Sequence, residues 1–164
     1  MSSFVPGPDT ARMFRDALGR FATGVTVVTC DSDLGPLGIT ANSFASLSLD
    51  PPLVLWSPAR ASRRFQAFID ARHYAIHILS KAQQDLCERF ATQGHDFDGM
   101  DWHANGHRVP LFRGCLARFE CTRHAIHGGG DHAIVVGHVD AAEVNEGEPL
   151  LFAGGRYGGF HDRG

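Results

Sequence analysis

Several signatures are missing from this chain of 164 residues, and each absence removes a class of function. No segment approaches the ~20 apolar residues of a membrane-spanning helix, and the start, MSSFVPGPDT, has neither the basic end nor the apolar stretch of a secretory signal. A cytoplasmic protein is expected. The four cysteines, Cys30, Cys87, Cys115 and Cys121, form no CxxC pair and sit mostly in apolar segments, which predicts buried free thiols rather than cross-links. Positive charge is in deficit: 15 Lys and Arg face 18 Asp and Glu, a net −3 with no field to recruit nucleic acid or an anionic membrane. There is no GxSxG, no GxxxxGK[ST] and no GxGxxG after a strand, so no hydrolase elbow, P-loop or dinucleotide fingerprint is present.

What is present is a globular balance of 43% hydrophobic and 20% charged residues. A chain of this length buries roughly 70% of its unfolded surface as one domain. Glycine (19), phenylalanine (12) and histidine (10) are abundant, while tyrosine (2) is scarce. Many glycines imply many turns, hence many short strands.

Met13, Phe14, Ala17, Leu18, Phe21 and Ala22 recur at helical spacing after Asp9 and Thr10, and predict an amphipathic helix ending before Gly24. A strand is expected over 25–30, a turn over 31–36, one long or two short strands over 37–49, and an apolar strand over 53–56. Ser62 opens a second helix carrying Phe65, Phe68 and Ile69, and 73–79 alternates as a half-buried strand. Ser80 and Gln83 form a capping box for a third helix through Leu86 and Phe90. Residues 93–110 lack periodicity and read as a long surface loop. Two longer strands, 115–127 and 132–144, are joined by Gly128-Gly129-Gly130-Asp131. Strands that do not alternate regularly with helices predict an antiparallel barrel with peripheral helices.

Three segments carry possible chemistry. In Gly38 to Leu53 the polar residues are small and uncharged, namely Thr40, Asn42, Ser43, Ser46 and Ser48. With their backbone they suit the hydrogen-bonding edge of a planar heterocycle, or they are the outward face of a strand. Arg63 and Arg64 follow Ser62 at a helix start, where the macrodipole disfavours cations unless an anion such as phosphate binds; a solvated basic face is the plain alternative. Gly128-Gly129-Gly130 before Asp131-His132 allows close backbone approach, or simply makes a wide hairpin. Paired histidines (73/77, 103/107, 124/127) do not read as a metal site: on a strand, a spacing of four separates side chains by roughly 13 Å.

Four blocks in order, Phe14-Arg15-x-Ala17-Leu18-Gly19-x-Phe21-Ala22-Thr23-Gly24-Val25-Thr26-Val27-Val28-Thr29, then Gly38-x-Thr40-Ala41-Asn42-Ser43-Phe44-x-Ser46-Leu47-Ser48-Leu49-Asp50-Pro51-Pro52-Leu53, then Gly130-Asp131-His132, then Gly155-Arg156-Tyr157-Gly158, closely resemble the short-chain flavin reductases. These are the reductase partners of two-component flavin monooxygenases. The resemblance implies a mainly β fold, the FMN-binding split β-barrel, over 12–160, between a leader (1–11) and a tail (161–164). It implies a homodimer that uses NADH or NADPH to reduce FMN or FAD for a separate monooxygenase. The positions matching flavin contacts are Ile39, Thr40, Ala41, Asn42 and Ser43 at the ring and ribityl chain, Ser57, Ala59, Ser62 and Arg63 near the phosphate, and Phe90, with Arg60 and Arg64 beside them. His132, as catalytic residue, and Arg156, Tyr157 and Gly158 match the nicotinamide side. Two other readings stand beside this one: a flavin-binding sensor or carrier without turnover, and a pyridoxamine-phosphate-oxidase-like flavoenzyme. The early Ala-Leu-Gly-x-Phe-Ala-Thr-Gly stretch and the Gly-Asp-His block favour the reductases.

Overall fold

The structure is a computed structural model and describes residues 3–162; Met1 and Ser2 of the expected leader and Arg163 and Gly164 of the expected tail lie outside the described residues. After a 3-10 turn over Pro8–Thr10, helix α1 runs Ala11–Leu18. Then come β1 (Thr23–Gly24), β2 (Thr26–Ser32), β3 (Gly35–Ala41), β4 (Ala45–Leu49) and β5 (Pro52–Trp56). Helix α2 (Phe65–Asp70), β6 (His73–Ile78) and helix α3 (Gln84–Thr92) follow, then β7 (Trp102–Ala104) and β8 (Pro110–Phe112). The hairpin β9 (Ala117–Gly129) and β10 (His132–Val144) precedes β11 (Leu151–Ala153) and β12 (Arg156–Gly158).

Seven strands form one antiparallel sheet in the order β3-β2-β6-β9-β10-β5-β4. Its edges, β3 and β4, are consecutive in the chain yet not paired to each other. One hydrophobic cluster joins the two ends of the sheet: Leu37 of β3, Val28 of β2, Tyr74 and Ile76 of β6, Val135 of β10, and Val54 and Trp56 of β5, with Phe68 of α2. Strands from both ends can share one core only if the sheet curls, so the molecule is a barrel left open along the β3/β4 seam, a split β-barrel.

A second core lies outside the barrel under α3, where Val25, Val27, Leu79, Leu86 and Phe90 meet Phe97 and Phe112. Val28 and Cys30 face the barrel while Val25 and Val27 face this outer cluster, as the two-residue period of a strand dictates. Both faces are thus covered. The same holds for β6, whose Tyr74 to His77 are all buried, so the expectation of a half-buried 73–79 strand is corrected. All four cysteines are free and buried.

Other boundaries also shift. The 37–49 region is two strands, and the preceding turn narrows to Asp33-Leu34. Helix α1 stops at Leu18, short of Phe21 and Ala22, and buries none of its residues. The 93–110 loop contains β7, which pairs with β8, and the buried Phe97; three-residue strands are too short to show a period. Only Gly130-Asp131 connects β9 to β10, with Gly130 at φ 70°, where a side chain would be strained. The Ser80/Gln83 capping box is formed, with the Ser80 N–H donating to Gln83 Oε1 at 3.1 Å.

Candidate functional site

Two shallow clefts flank the end of β3, and both are lined by Thr40, Ala41 and Asn42. The first, about 200 Å³, lies in the seam and adds Ile39, Ser43, Ser57, Ala59, Ser62 and His132. The second, about 180 Å³, adds Val25, Phe152 and Tyr157. Of the matched residues, Ile39 to Ser43, Ser57, Ala59, Ser62 and His132 on one side and Tyr157 on the other therefore meet around three consecutive positions.

The seam cleft is held open by specific bonds. Ser43 Oγ accepts the Ser57 N–H (2.9 Å) and donates to the Ser57 carbonyl (3.2 Å), fastening the end of β3 to the end of β5. Thr40 Oγ1 donates to the Cys87 carbonyl (2.6 Å), which ties β3 to α3 and uses up that hydroxyl's proton. Because β3 is an edge strand, half of its backbone groups face away from β2. Gly38 N–H points that way, donating to the Gly94 carbonyl (2.8 Å), and the alternation gives Thr40 the same direction. Thr40 N–H and C=O, the exposed Asn42 side chain and the Ser57 and Ser62 hydroxyls are the polar groups available here. Such a set of small, neutral donors and acceptors fits the polar edge of a flavin ring and its ribityl chain.

His132 enters at the head of β10, in a bridge to Ala59. Its Nδ1 lies 2.8 Å from Asp131 Oδ1, so the Nδ1–H donates to the carboxylate and Nε2 is left free for a ligand. The same bond, with the charge of the imidazolium, holds the Asp131 carboxyl below the usual range. Arg60 fixes the hairpin tip: its N–H donates to the Asp131 carbonyl (2.8 Å), Nε donates to the Gly130 carbonyl (3.2 Å), and the guanidinium lies 5.5 Å from the Phe65 ring centroid. On the other side, the Cys87 thiol donates to the Tyr157 hydroxyl at 3.2 Å, and the Tyr157 ring packs 5.3 Å from Phe152. The Cys87 contact and burial push the Tyr157 phenol up to about 12, so it stays neutral. Arg156 and Gly158 flank it, exposed, on β12.

Several candidate residues stand elsewhere. Phe90 is fully buried, with its ring against Gly38, and belongs to the outer core rather than to either cleft. Arg64 donates to the carbonyls of Gly38 (3.0 Å), Phe90 (2.7 Å) and Ala91 (3.1 Å), a brace between β3 and α3 that leaves little for a phosphate. Ser62 does not open the helix: α2 begins at Phe65, and Ser62 Oγ instead accepts the Arg64 N–H at 3.2 Å in the preceding turn. The conflict of cations in a first helical turn therefore does not arise. Arg63, exposed, has no hydrogen-bond or ion-pair partner among the described residues. Trp56 and Pro58 also line the seam cleft, and Val25 and Phe152 the second, without having been singled out. Pro58 lies inside the Ser57–Arg64 segment that drew attention, but the other three read as ordinary apolar positions. Among the described residues no group of three or more His, Cys, Asp or Glu is placed to hold a metal ion. His73 instead stacks on His107, with centroids 3.7 Å apart.

Comparison with known proteins agrees with this fold. A family model described as "Flavin reductase like domain" matches residues 18–161. The chain is 56% identical over 157 residues to FMN reductase (NADH) SmoA of Agrobacterium fabrum, covering 96% of this chain and 90% of that protein. It is 41% identical over 150 residues to the flavin-dependent monooxygenase reductase subunit HsaB of Rhodococcus jostii, covering 90% and 77%. Among solved structures, the NADH:FAD oxidoreductase SgcE6 of Streptomyces globisporus superposes with a TM-score of 0.90 at 34% identity, covering 99% of this chain and all of that one. With the split barrel, the ordered blocks and a match of this extent, the chain belongs to the flavin reductase-like domain family.

Proposed function

We propose that this protein is an NAD(P)H:flavin oxidoreductase that supplies reduced FMN or FAD to a separate monooxygenase. One observation carries the reading: the seam cleft with His132 and the second cleft with Tyr157 share Thr40, Ala41 and Asn42, so two ligands bound there would lie against each other. Hydride transfer between two bound cofactors demands alignment more than a protein nucleophile or strong acid, and no carboxyl or thiol side chain lines either cleft.

Flavin, when bound, supplies the hydride acceptor. The chain's own part is positional. The backbone from Ile39 to Ser43, along the β3 edge and just past its end, with the Asn42 side chain, holds the ring and ribityl chain. Ser57, Ala59, Ser62 and Arg63 hold the phosphate, and Arg60 keeps the Gly130-Asp131 turn beside them. His132 Nε2 orients the nicotinamide, with Arg156, Tyr157 and Gly158 closing the far side.

The working unit is a homodimer formed by the 12–160 domain. Phe14 of α1 is 43% exposed, and Leu18 (60%) and Phe21 (79%) are more so, an apolar stripe that a second copy would cover. Sedimentation at micromolar concentration then gives twice the 17.8 kDa chain mass, and a monomer would contradict the dimer. The site of action is the cytoplasm: four free thiols suit a reducing compartment, and among the described residues no helix is long and apolar enough to cross a membrane.

The decisive experiment is oxidation of NADH or NADPH by the purified protein with added FMN or FAD. Flavin-dependent loss of nicotinamide absorbance is expected. Its absence with all four pairs, together with tight flavin binding, would instead make the protein a sensor or carrier.

A further inference from the structure

The aromatic side chain at the second cleft rides on a weakly held strand. Tyr157 belongs to β12, an outer strand of the small sheet ordered β1-β11-β12, and all three β12 residues are exposed. Strands of two and three residues do not fix their own position. β11 is fastened to the body at both ends: the Leu150 N–H just before it donates to the Leu79 carbonyl (3.1 Å), and the Gly154 N–H just after it donates to the Gly19 carbonyl (2.8 Å). β12 follows a turn through Gly154 and Gly155, at φ 56° and 77°, and its backbone pairs with β11. Its side-chain hold on the rest of the molecule is the bond from the Cys87 thiol to the Tyr157 hydroxyl, at 3.2 Å.

Cys87 is itself firmly placed. It lies in α3, fully buried in the outer core with Leu86 and Phe90, and its carbonyl accepts the Thr40 hydroxyl at 2.6 Å. Burial pushes the Cys87 thiol up, so it keeps the proton that it donates. One residue thus fastens β3 through its main chain and β12 through its side chain, while lining neither cleft. The two residues it holds, Thr40 and Tyr157, both line the second cleft.

We infer that Cys87 is a positioning residue for the nicotinamide, holding Tyr157 in place relative to Thr40 while touching neither cofactor. The inference rests on the proposed placement of the nicotinamide beside Tyr157. With the thiol removed, β12 is free to move on the Gly154-Gly155 turn and the second cleft loses a fixed wall. The flavin edge is tied through the Cys87 carbonyl, which a change of side chain leaves in place. A support that acts equally before and during hydride transfer changes KM and spares kcat.

The test compares the unmodified protein with Cys87→Ala, Cys87→Ser, Tyr157→Phe and the double variant Cys87→Ala/Tyr157→Phe. In Cys87→Ala the KM for NADH should rise about three- to tenfold, as for the loss of one ordinary hydrogen bond, with kcat and the FMN Kd within about twofold. The FMN Kd also reports that the variant is folded. Cys87→Ser, which keeps a donor, should recover most of the KM. The double variant should match Tyr157→Phe within about twofold, because no hydroxyl remains for the thiol to hold. Additive losses would make Cys87 a mere filler of the α3 core and overturn the inference. Amide exchange of the unliganded protein supplies a readout independent of turnover: residues 156–158 should exchange at least about threefold faster in Cys87→Ala and near the unmodified rate in Cys87→Ser. Unchanged exchange in Cys87→Ala would overturn the tether. Faster exchange in a protein whose unmodified form oxidises no NADH with added flavin would overturn the underlying reading of the second cleft instead, so the two failures are distinct.

Discussion

Ser43 and Ser57 close the barrel where no strand pairing does: one hydroxyl accepts the Ser57 N–H at 2.9 Å and donates to the Ser57 carbonyl at 3.2 Å. Removing it leaves both backbone groups without these partners at the wall of the seam cleft. Ser43→Ala should lower stability by about 1 to 3 kcal/mol in urea denaturation and weaken flavin binding several-fold, whereas Ser43→Thr, which restores the hydroxyl, recovers most of both. Unchanged stability and affinity in the alanine variant would show that the seam is held by other contacts.

On the proposed placement of the phosphate, Arg63 is the guanidinium left free to meet it, since Arg64 is committed to three carbonyls. Arg63→Ala should weaken FMN much more than riboflavin, which has the same ring without the phosphate, by about 1 to 3 kcal/mol. Equal losses for the two ligands would mean that Arg63 is a solvated charge.

His132, oriented by Asp131, is proposed to act on the nicotinamide rather than on the flavin. His132→Asn should leave flavin affinity within a few-fold and reduce kcat/KM for NAD(P)H by about ten- to a hundredfold, or about 1.4 to 2.7 kcal/mol. A variant that loses flavin with nicotinamide kinetics intact would place the imidazole on the opposite side of the site.

His77 predicts a stability profile. It is fully buried, with Nδ1 3.0 Å from the Val27 carbonyl and Nε2 accepting the Phe112 N–H at 3.1 Å, an arrangement that requires the neutral ring. Burial pushes it down to about 3 from 6.5. Between those values the unfolded chain binds one more proton than the folded one. Stability therefore falls as pH drops below about 6.5, by up to about 1.4 kcal/mol per pH unit from this group, and its contribution is constant above. Denaturation midpoints from pH 7 to 4.5 should decline less steeply in His77→Gln; parallel slopes would contradict the assignment.

How much of this was legible in the sequence depended on the range of the interaction. The Ser80/Gln83 capping box and the long β9 and β10 strands are local patterns and appear as read, to within a few residues. The Thr40–Ser43 and His132 blocks were identifiable because small polar residues and a glycine-rich turn stand out from apolar strands. Phe90 and Arg64 stand outside both clefts for one shared reason. At Gly38 a Cβ would fall 2.5 Å from the Phe90 ring, and Arg64 binds the carbonyls of these same two residues. That junction joins residues far apart in the chain, and no spacing rule exposes it. The Cys87–Tyr157 contact, 70 positions apart, was hidden in the same way.

The division of β2 and β6 between two cores sets the order in which the molecule opens. Neither core can dissolve without stripping the other, so amide exchange through Val27–Cys30 and Tyr74–His77 must await global unfolding. Edge strand β4 and helix α1, which bury no residue fully, have no such guarantee and exchange by local opening. The seam cleft lies on the border between these two regimes, anchored to protected β2 through β3 and lined at its other end by Asn42 and Ser43, which lead into edge strand β4. Ligand traffic at the site can therefore proceed by motions of the border alone, on timescales far shorter than unfolding, while the frame that fixes Thr40 stays intact.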